Sequence, residues 1–190
     1  MKTLILCDRE SLEHNGFDLC ARVRMAVREA GSDEDVVVLN GDEIKPCRGC
    51  FHCWVRTPGL CIMTNDCVDT VAGQEIRSDV VVFLSKIVYG GYSYDVKSFL
   101  DRSIPNLSPF FEIIDDEMRH KMRYKRFPCV VSIGYGKCGP QERETFIRLT
   151  ERNAMNMRPP KHFAFTMQNT EEAEATIQAL KNVLSQQVNQ

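Results

Sequence analysis

The sequence predicts an α/β fold of three layers, in which a five-stranded parallel sheet lies between helices on both faces. Short runs rich in Val, Ile and Leu alternate along the chain with segments of helical periodicity, and this alternation favours right-handed crossovers between parallel strands. One run, Asp79–Leu84, is apolar at every position after the first. Such a run is typical of a strand that is buried on both faces. The pattern therefore predicts a doubly wound sheet.

Each element is predicted from its periodicity and from the residues at its ends. Strands are expected at Lys2–Cys7, Asp35–Leu39, Asp79–Leu84, Phe127–Ile133 and Lys161–Met167. Helices are expected at Phe17–Ala30, Val68–Arg77, Ser93–Arg102 and Gln141–Met157, and a final helix follows a capping box of Asn169 and Glu172. A long loop rich in Gly, Pro and Cys covers Asn40–Asp66. The charged stretch after Pro109 is expected to be helical.

The length and composition of the chain limit the number of domains and the classes of partner that we expect. A length of 190 residues suits one domain over 1–190, with a cysteine-rich insertion loop at about 44–67. The net charge is -2, with both signs interspersed, so neither nucleic acid nor a membrane is an expected partner. The first apolar run is too short for a signal peptide, and we expect a cytoplasmic protein.

Three loops are expected to form the ligand site, because ligands of doubly wound sheets bind beyond the carboxyl ends of the strands. These loops are Asp8–Gly16, Ser85–Tyr92 and Gly134–Gly139. The first precedes a helix, whose N–H groups and dipole favour a phosphate. The second contains Gly90 and Gly91, which allow the backbone to lie close to a flat ring.

The segment Ser85-Lys-Ile-Val-Tyr-Gly-Gly-Tyr-Ser93 and the helix after it resemble the flavin-ring loop of the NADPH-dependent FMN reductase family. Segments 116–124, 133–136 and 144–154 are similar to corresponding parts of the same superfamily, so the resemblance spans nearly the entire chain. It implies a flavodoxin-like fold with strand order 2-1-3-4-5, FMN as cofactor and NAD(P)H as electron donor. It also implies a homodimer or homotetramer and a small-molecule or protein electron acceptor.

The candidate flavin-binding residues follow from these loops and from the resemblance. No side chain stands out as an acid or base, so the chemistry is expected to belong to the flavin. Tyr89 or Tyr92 is expected to cover one face of the ring. The candidates are Arg9, Ser11, Asn15, Gly16, Ser85, Ile87, Val88, Tyr89, Gly90, Gly91, Tyr92, Gly134, Tyr135 and Gly136.

The first loop departs from the family pattern, which usually begins with Ser-Pro-Arg and ends with Asn-Thr or Asn-Ser. This chain has Cys7-Asp-Arg-Glu-Ser-Leu-Glu-His-Asn-Gly16 instead. Its carboxylates, Asp8, Glu10 and Glu13, would repel a phosphate that they faced. We expect them to point to solvent while backbone amides bind the phosphate. A flavin-free descendant of the fold with a binding role is the alternative.

Nine cysteines without a secretion signal favour metal, cluster or redox roles over disulfide bonds. Cys47, Cys50, Cys53 and Cys61 have the spacing C-x2-C-x2-C-x7-C, and thiolates so spaced can surround one cluster. The pattern resembles the compact motif of iron-sulfur flavoproteins, which carry a 4Fe-4S cluster near FMN. Free thiols and a zinc site are alternatives, with Cys67 as a spare ligand. The remaining cysteines, Cys7, Cys20, Cys129 and Cys138, are expected to be small buried hydrophobes.

The sequence therefore favours two functions over the flavin-free alternative. The leading hypothesis is an FMN-dependent NAD(P)H oxidoreductase, in which the flavin passes electrons to an acceptor on the same face. The second is a non-enzymatic electron carrier, in which a cluster on the four spaced cysteines relays single electrons to or from FMN.

Overall fold

A parallel sheet of five strands lies at the centre of the computed structural model, which describes residues 1–14, 16 and 18–188. The strands are β1 (Lys2–Asp8), β2 (Asp33–Leu39), β3 (Val80–Lys86), β4 (Phe111–Ile114), β5 (Glu117–His120), β6 (Cys129–Tyr135) and β7 (His162–Met167). The central sheet has the order β2-β1-β3-β6-β7, while β4 and β5 form a separate pair. Counted within the central sheet alone, this is the predicted order 2-1-3-4-5, which is confirmed.

Helices cover both faces of the sheet. They are α1 (Leu19–Glu29), α2 (His52–Val55), α3 (Val68–Arg77), α4 (Tyr94–Arg102), α5 (Pro140–Met157) and α6 (Thr170–Val188). Helices α1 and α6 pack on one face, whereas α3, α4 and α5 contribute to the core on the other. Successive residues of β3 enter the two cores in turn: Val80, Val82 and Leu84 enter the first, Val81 and Phe83 the second. This alternation explains the uninterrupted apolar run, because both sides of β3 are buried.

The helix predicted after Pro109 is wrong, because this stretch forms a β-hairpin. Strands β4 and β5 pair in antiparallel register, with Phe111 opposite His120. Asp115 and Asp116 both have positive φ, 52° and 60°, which is the backbone of the two-residue turn that matches the twist of a hairpin. The charges that suggested a helix instead form ion pairs across the turn, as between Arg119 and Asp115.

The other elements follow the prediction with small shifts. Helix α1 begins at Leu19, because the Asp18 side chain accepts a hydrogen bond from the Ala21 N–H at 2.7 Å and caps the helix. The long loop is present and contains one turn of helix, α2. Three of the cysteines that were expected to be buried are so, and Cys138 is half-buried. Within the described ranges, no helix combines the length and apolarity that a membrane span requires.

Helix α3 carries a carboxyl group into the core. Glu75 is fully buried, and its Oε2 accepts a hydrogen bond from the Asn106 side chain at 2.8 Å. Its Oε1 has no hydrogen-bond partner in the described part of the chain. Burial raises the pKa of Glu75 to about 7, against the lowering effect of the Asn106 bond. The folded protein therefore binds this proton more tightly than the unfolded chain does.

Replacing Glu75 by Gln is expected to remove a pH-dependent loss of stability. A raised carboxyl pKa contributes stability that is complete below the unfolded pKa and is lost as the pH rises through the folded pKa. From about pH 5 to about pH 8, wild-type unfolding free energy should fall relative to Glu75→Gln by on the order of 2 kcal/mol. Urea unfolding followed by circular dichroism measures this difference. The exposed Glu144→Gln is the control, and parallel curves for wild type and Glu75→Gln would contradict the raised pKa.

Candidate functional site

The carboxyl ends of β1, β3 and β6 bring the three predicted loops together at one edge of the sheet. Hydrogen bonds join them directly. The Lys86 N–H donates to Asp8 Oδ2 at 2.7 Å, and the Tyr135 hydroxyl donates to Asp8 Oδ1 at 2.5 Å. The Ile87 N–H donates to the Tyr135 carbonyl at 2.9 Å. The loops therefore form one connected surface.

The ring loop, residues 85–92, projects a tight turn from this edge. Val88 and Gly91 exchange two backbone hydrogen bonds, of 3.0 and 2.8 Å, around Tyr89 and Gly90. Both central residues have positive φ, 50° and 75°, and this conformation costs free energy at a tyrosine. The Tyr89 side chain is 94% exposed. A strained backbone therefore displays an aromatic ring at the carboxyl edge of the sheet.

The glycines of the site allow the loops to lie directly against α5. A Cβ atom at Gly90 would lie 2.7 Å from Thr145 Cβ. At Gly134 it would lie 2.7 Å from a ring carbon of Phe146 and 2.8 Å from the Ile87 side chain. Gly136 has a φ of 106°, and its N–H bonds the Met167 carbonyl at 3.1 Å. Side chains at Gly90 and Gly134 would push the loops away from the helix.

Two further candidates in the ring loop, Ser85 and Tyr92, are buried beneath the exposed turn. Ser85 is buried, and its Oγ accepts a hydrogen bond from the Ser93 N–H at 2.8 Å, at the start of α4. Tyr92 is only 9% exposed, and its ring packs edge-on against Phe146 at a centroid distance of 5.4 Å. The structure therefore places Tyr92 in the core, and Tyr89 is the tyrosine of this loop that faces outward.

The expectation that the carboxylates of the first loop point to solvent is wrong for Asp8. Its side chain is 1% exposed rather than directed to solvent. Besides Lys86 and Tyr135, the Ser11 N–H donates to Oδ1 at 3.1 Å. Burial raises the pKa of Asp8, whereas these donors lower it. Burial and the neighbouring Asp8 charge raise the pKa of Tyr135, so the tyrosine keeps its proton as donor. Asp8 is an internal hydrogen-bond acceptor that joins the ends of three strands.

The other polar residues of the first loop are also engaged. Arg9 forms ion pairs with Asp95 at 2.9 Å and with Asp42 at 3.0 Å. Ser11 is buried, and its hydroxyl donates to the Asp8 carbonyl at 2.6 Å. Glu10 and Glu13 are exposed, as expected. Gly16 has a φ of 79°, and Asn15 lies outside the described residues.

The start of α1, where a flavin phosphate is expected, carries charges of both signs. Asp18 occupies the N-cap, so its carboxylate satisfies an N–H that a phosphate would otherwise use. Beside it, His14, Arg22 and Tyr135 help to line a small cavity. The ring loop therefore exposes a backbone turn and an aromatic ring at this edge, whereas the start of α1 carries a carboxylate, Asp18, where a phosphate is expected.

The four spaced cysteines line one small cavity. Its other walls are mainly apolar, and the Arg102 side chain also lines it. Cys53 is buried, Cys61 is half-buried, and Cys47 and Cys50 are exposed. Burial and the neighbouring thiols Cys61, Cys47 and Cys50 raise the pKa of Cys53. The spacing in sequence therefore corresponds to a grouping in space, and Cys67 lies outside it.

Backbone geometry turns the cysteine loop inward. Gly49 and Phe51 have positive φ, 63° and 56°, on either side of Cys50. Cys53 then follows on the single turn of α2. Two N–H groups point at sulfur: that of Gly49 at Cys47 Sγ (3.5 Å) and that of Met63 at Cys61 Sγ (3.4 Å). Such bonds stabilise thiolates, the form in which cysteine binds iron.

An unpaired donor in the wall of this cavity also favours a cluster. Arg102 is 1% exposed, and its Nε–H has no acceptor among the residues described. A cluster with thiolate ligands would supply sulfur acceptors to a donor in this wall. In the described ranges, no three His, Cys, Asp or Glu side chains meet as ligands of a single metal ion. Sequence reasoning missed Arg102, because its role depends on partners remote in the chain.

Replacing Gly90 by Ala is expected to disrupt the ring loop, because the new methyl group would meet Thr145 and the φ of 75° strains any side chain. We expect a loss of about 1–3 kcal/mol in unfolding free energy. The neighbouring Gly91→Ala is the matched control, because its methyl group would meet only a carbonyl oxygen at 3.5 Å. This control should stay within about 0.5 kcal/mol of wild type. Equal losses in urea unfolding would contradict the close packing at Gly90.

No protein-family model matches the chain, but two curated relatives do. An iron-sulfur flavoprotein of Methanocaldococcus jannaschii is 29% identical over 105 residues, 55% of this chain and 53% of the relative. An iron-sulfur flavoprotein of Methanosarcina thermophila is 26% identical over 77 residues, 40% of this chain and 39% of the relative. The chain thus spans about half or less of the length of these relatives.

Solved structures match over nearly the full length. An NAD(P)H:quinone oxidoreductase from Methanothermobacter marburgensis has a TM-score of 0.67 at 13% identity, covering 97% of this chain and 96% of that one. An FMN-dependent NADH-azoreductase from Bacillus anthracis, in complex with FMN, has a TM-score of 0.59 at 10% identity, covering 97% and 98%. An archaeal flavodoxin has a TM-score of 0.54 at 10% identity, covering 100% of both chains. The chain therefore has a flavodoxin-like fold and is similar in sequence, over about half of its length, to two iron-sulfur flavoproteins.

Proposed function

We propose that this protein is an FMN-dependent oxidoreductase that takes electrons from NAD(P)H and passes them to a small-molecule or protein acceptor. The observation that carries the proposal is the ring loop, an exposed turn whose backbone and aromatic tip lie at the carboxyl edge of the sheet. An FMN-dependent NADH-azoreductase and an NAD(P)H:quinone oxidoreductase among the structural neighbours support it, as do the iron-sulfur flavoprotein relatives.

The chain contributes binding and rigidity, while FMN supplies the hydride and electron chemistry when it is bound. Residues 88–91 expose the backbone of a tight turn, and the exposed Tyr89 ring is available to stack on an aromatic ligand. The buried Asp8–Tyr135 bond holds the ends of β1 and β6 at a fixed separation beneath this surface. Arg9 binds Asp95 and so keeps the start of α4 against the first loop.

The proposal is tested by titrating FMN-loaded protein with NADPH and with NADH under anaerobic conditions. Loss of the visible flavin absorption with either nucleotide is the expected result. If neither nucleotide reduced the bound FMN, the protein would bind flavin but would not be an NAD(P)H-dependent reductase, and the proposal would be wrong. Protein that binds no FMN at all would favour the flavin-free alternative.

Replacing Asp18 by Thr is expected to strengthen FMN binding. Threonine keeps a cap for α1 but removes a negative charge from the position where the phosphate is expected. We expect the Kd for FMN to fall roughly 2- to 5-fold, because the variant lacks a carboxylate that repels the phosphate, and one charge at a helix N-terminus changes a free energy by about 0.3–1 kcal/mol. Riboflavin, which lacks the phosphate, is the matched control ligand and should bind both proteins equally. An equal gain for riboflavin would contradict this location of the phosphate.

A second candidate function is favoured by the cysteine cavity. Four thiols line one cavity, and two of them accept backbone N–H bonds. We propose that Cys47, Cys50, Cys53 and Cys61 hold a 4Fe-4S cluster, which supplies single-electron transfer when it is bound. The iron-sulfur flavoprotein relatives support this assignment. With both groups, the protein exchanges electron pairs with NAD(P)H and single electrons with its acceptor.

Replacing Cys50 by Ser is expected to abolish the cluster, because one of its four ligands is lost. Anaerobic absorption spectra, with iron and acid-labile sulfide analysis, should give a broad iron-sulfur absorption in wild type and none in Cys50→Ser. Cys67→Ser is the control, because Cys67 lies in the same region but outside the cavity, and it should retain wild-type iron. A wild-type flavin spectrum without iron would overturn the cluster proposal and leave the reductase proposal intact.

A further inference from the structure

Arg102, the last residue of α4, holds both ends of the cysteine loop. Its Nη1 donates to the Lys45 carbonyl at 2.6 Å, before the first cysteine of the motif. Its Nη2 donates to the Met63 carbonyl at 3.0 Å, after the last one. These acceptors are 57 and 39 residues away in the chain. One guanidinium group therefore closes the loop on which all four cysteines lie.

Asp66 balances the charge of Arg102 from the outer side. The two side chains form an ion pair of 2.9 Å, and each is 1% exposed. Asp66 also accepts hydrogen bonds from the Lys45 and Val68 N–H groups, at 3.3 and 3.2 Å. Arg102 lines the cysteine cavity, but Asp66 does not. The ion pair is thus oriented with its positive end at the cavity.

The Nε–H of Arg102 is the donor that this arrangement leaves over. Its two terminal nitrogens bind the loop and Asp66, while Nε is buried without an acceptor within the described ranges. A buried donor with no acceptor costs free energy, and a donor attached to a full charge costs more. The same side chain borders the space enclosed by four thiols. A ligand with sulfur acceptors in that space would satisfy the donor.

We propose that Arg102 is a positioning residue that donates its Nε–H to the cluster held in the cysteine cavity and raises the reduction potential of that cluster. The proposal rests on the proposed assignment of a cluster to this cavity. A fixed positive charge stabilises the reduced, more negative state of a neighbouring centre, and it acts strongly in an enclosed, mainly apolar site. Hydrogen bonds to the sulfurs act in the same direction.

A purely structural role for Arg102 makes a different prediction. If the residue only closed the loop, every change to the ion pair would loosen the cavity and move the potential in the same direction. If its charge acts on the cluster, removing Asp66 and removing Arg102 have opposite effects. Asp66→Asn leaves the positive charge uncompensated, whereas the double variant Arg102→Gln/Asp66→Asn removes it without leaving a buried charge unpaired.

The experiment is an anaerobic redox titration of the cluster, followed by electron paramagnetic resonance, in wild type and variants of full length. Asp66→Asn is expected to raise the midpoint potential above wild type, and the double variant to lower it. Arg126→Gln is the control, because it removes a surface arginine paired with Asp79 at the opposite edge of the sheet, and it should leave the potential unchanged. We also expect the double variant to lose iron to a chelator roughly 10-fold faster.

Arg102→Lys keeps the positive charge beside Asp66 and removes the Nε–H, so it tests the hydrogen bond with less change to the loop. A lower midpoint potential than wild type is expected. An unchanged potential in Arg102→Lys, or shifts in the same direction for Asp66→Asn and the double variant, would overturn the proposal and leave the cluster in place. Wild-type protein without iron and sulfide would overturn the cluster assignment and this proposal together.

Discussion

The carboxylate of Asp8 is the constraint on which the site depends. It is a buried acceptor to which Lys86 and Tyr135 donate from the ends of β3 and β6, and Ser11 from the loop after β1. Burial of a charge is costly unless donors surround it, so the loops that carry these donors are held in one arrangement. The ring loop leaves the sheet immediately after Lys86. Its position is therefore fixed by a polar bond in the core as much as by apolar packing.

The fold follows from local sequence because burial on two faces leaves a local signature. The residues of β3 are apolar in sequence since they face two cores, and the same reasoning locates most helices by their periodicity. The spacing of the cysteines also predicts their grouping, because a short loop keeps its residues together. The hairpin of β4 and β5 was missed because charge outweighed the turn signal of Asp115 and Asp116.

The parts of the site that could not be predicted depend on distant partners. Asp8 reads as a solvent-facing residue at a strand end, but its donors Lys86 and Tyr135 lie 78 and 127 residues away. Arg102 reads as the last polar residue of a surface helix, and its acceptor carbonyls belong to the two ends of the cysteine loop. Periodicity and spacing carry no information on such pairings, which only the folded topology brings together.

Helix α4 sets the distance between the ring loop and the cysteine cavity. It begins beside the ring loop, where the Ser93 N–H binds Ser85, and it ends at Arg102 in the wall of the cysteine cavity. Its nine residues rise about 13 Å at the usual pitch. A helix is a stiff rod, so thermal motion of the surface loops changes this length little. The spacing between the ring loop and the cysteine cavity is thus set by a count of residues. An insertion in α4 would lengthen it and would also turn Arg102 away from the cavity, because each added residue rotates the end of a helix by about 100°.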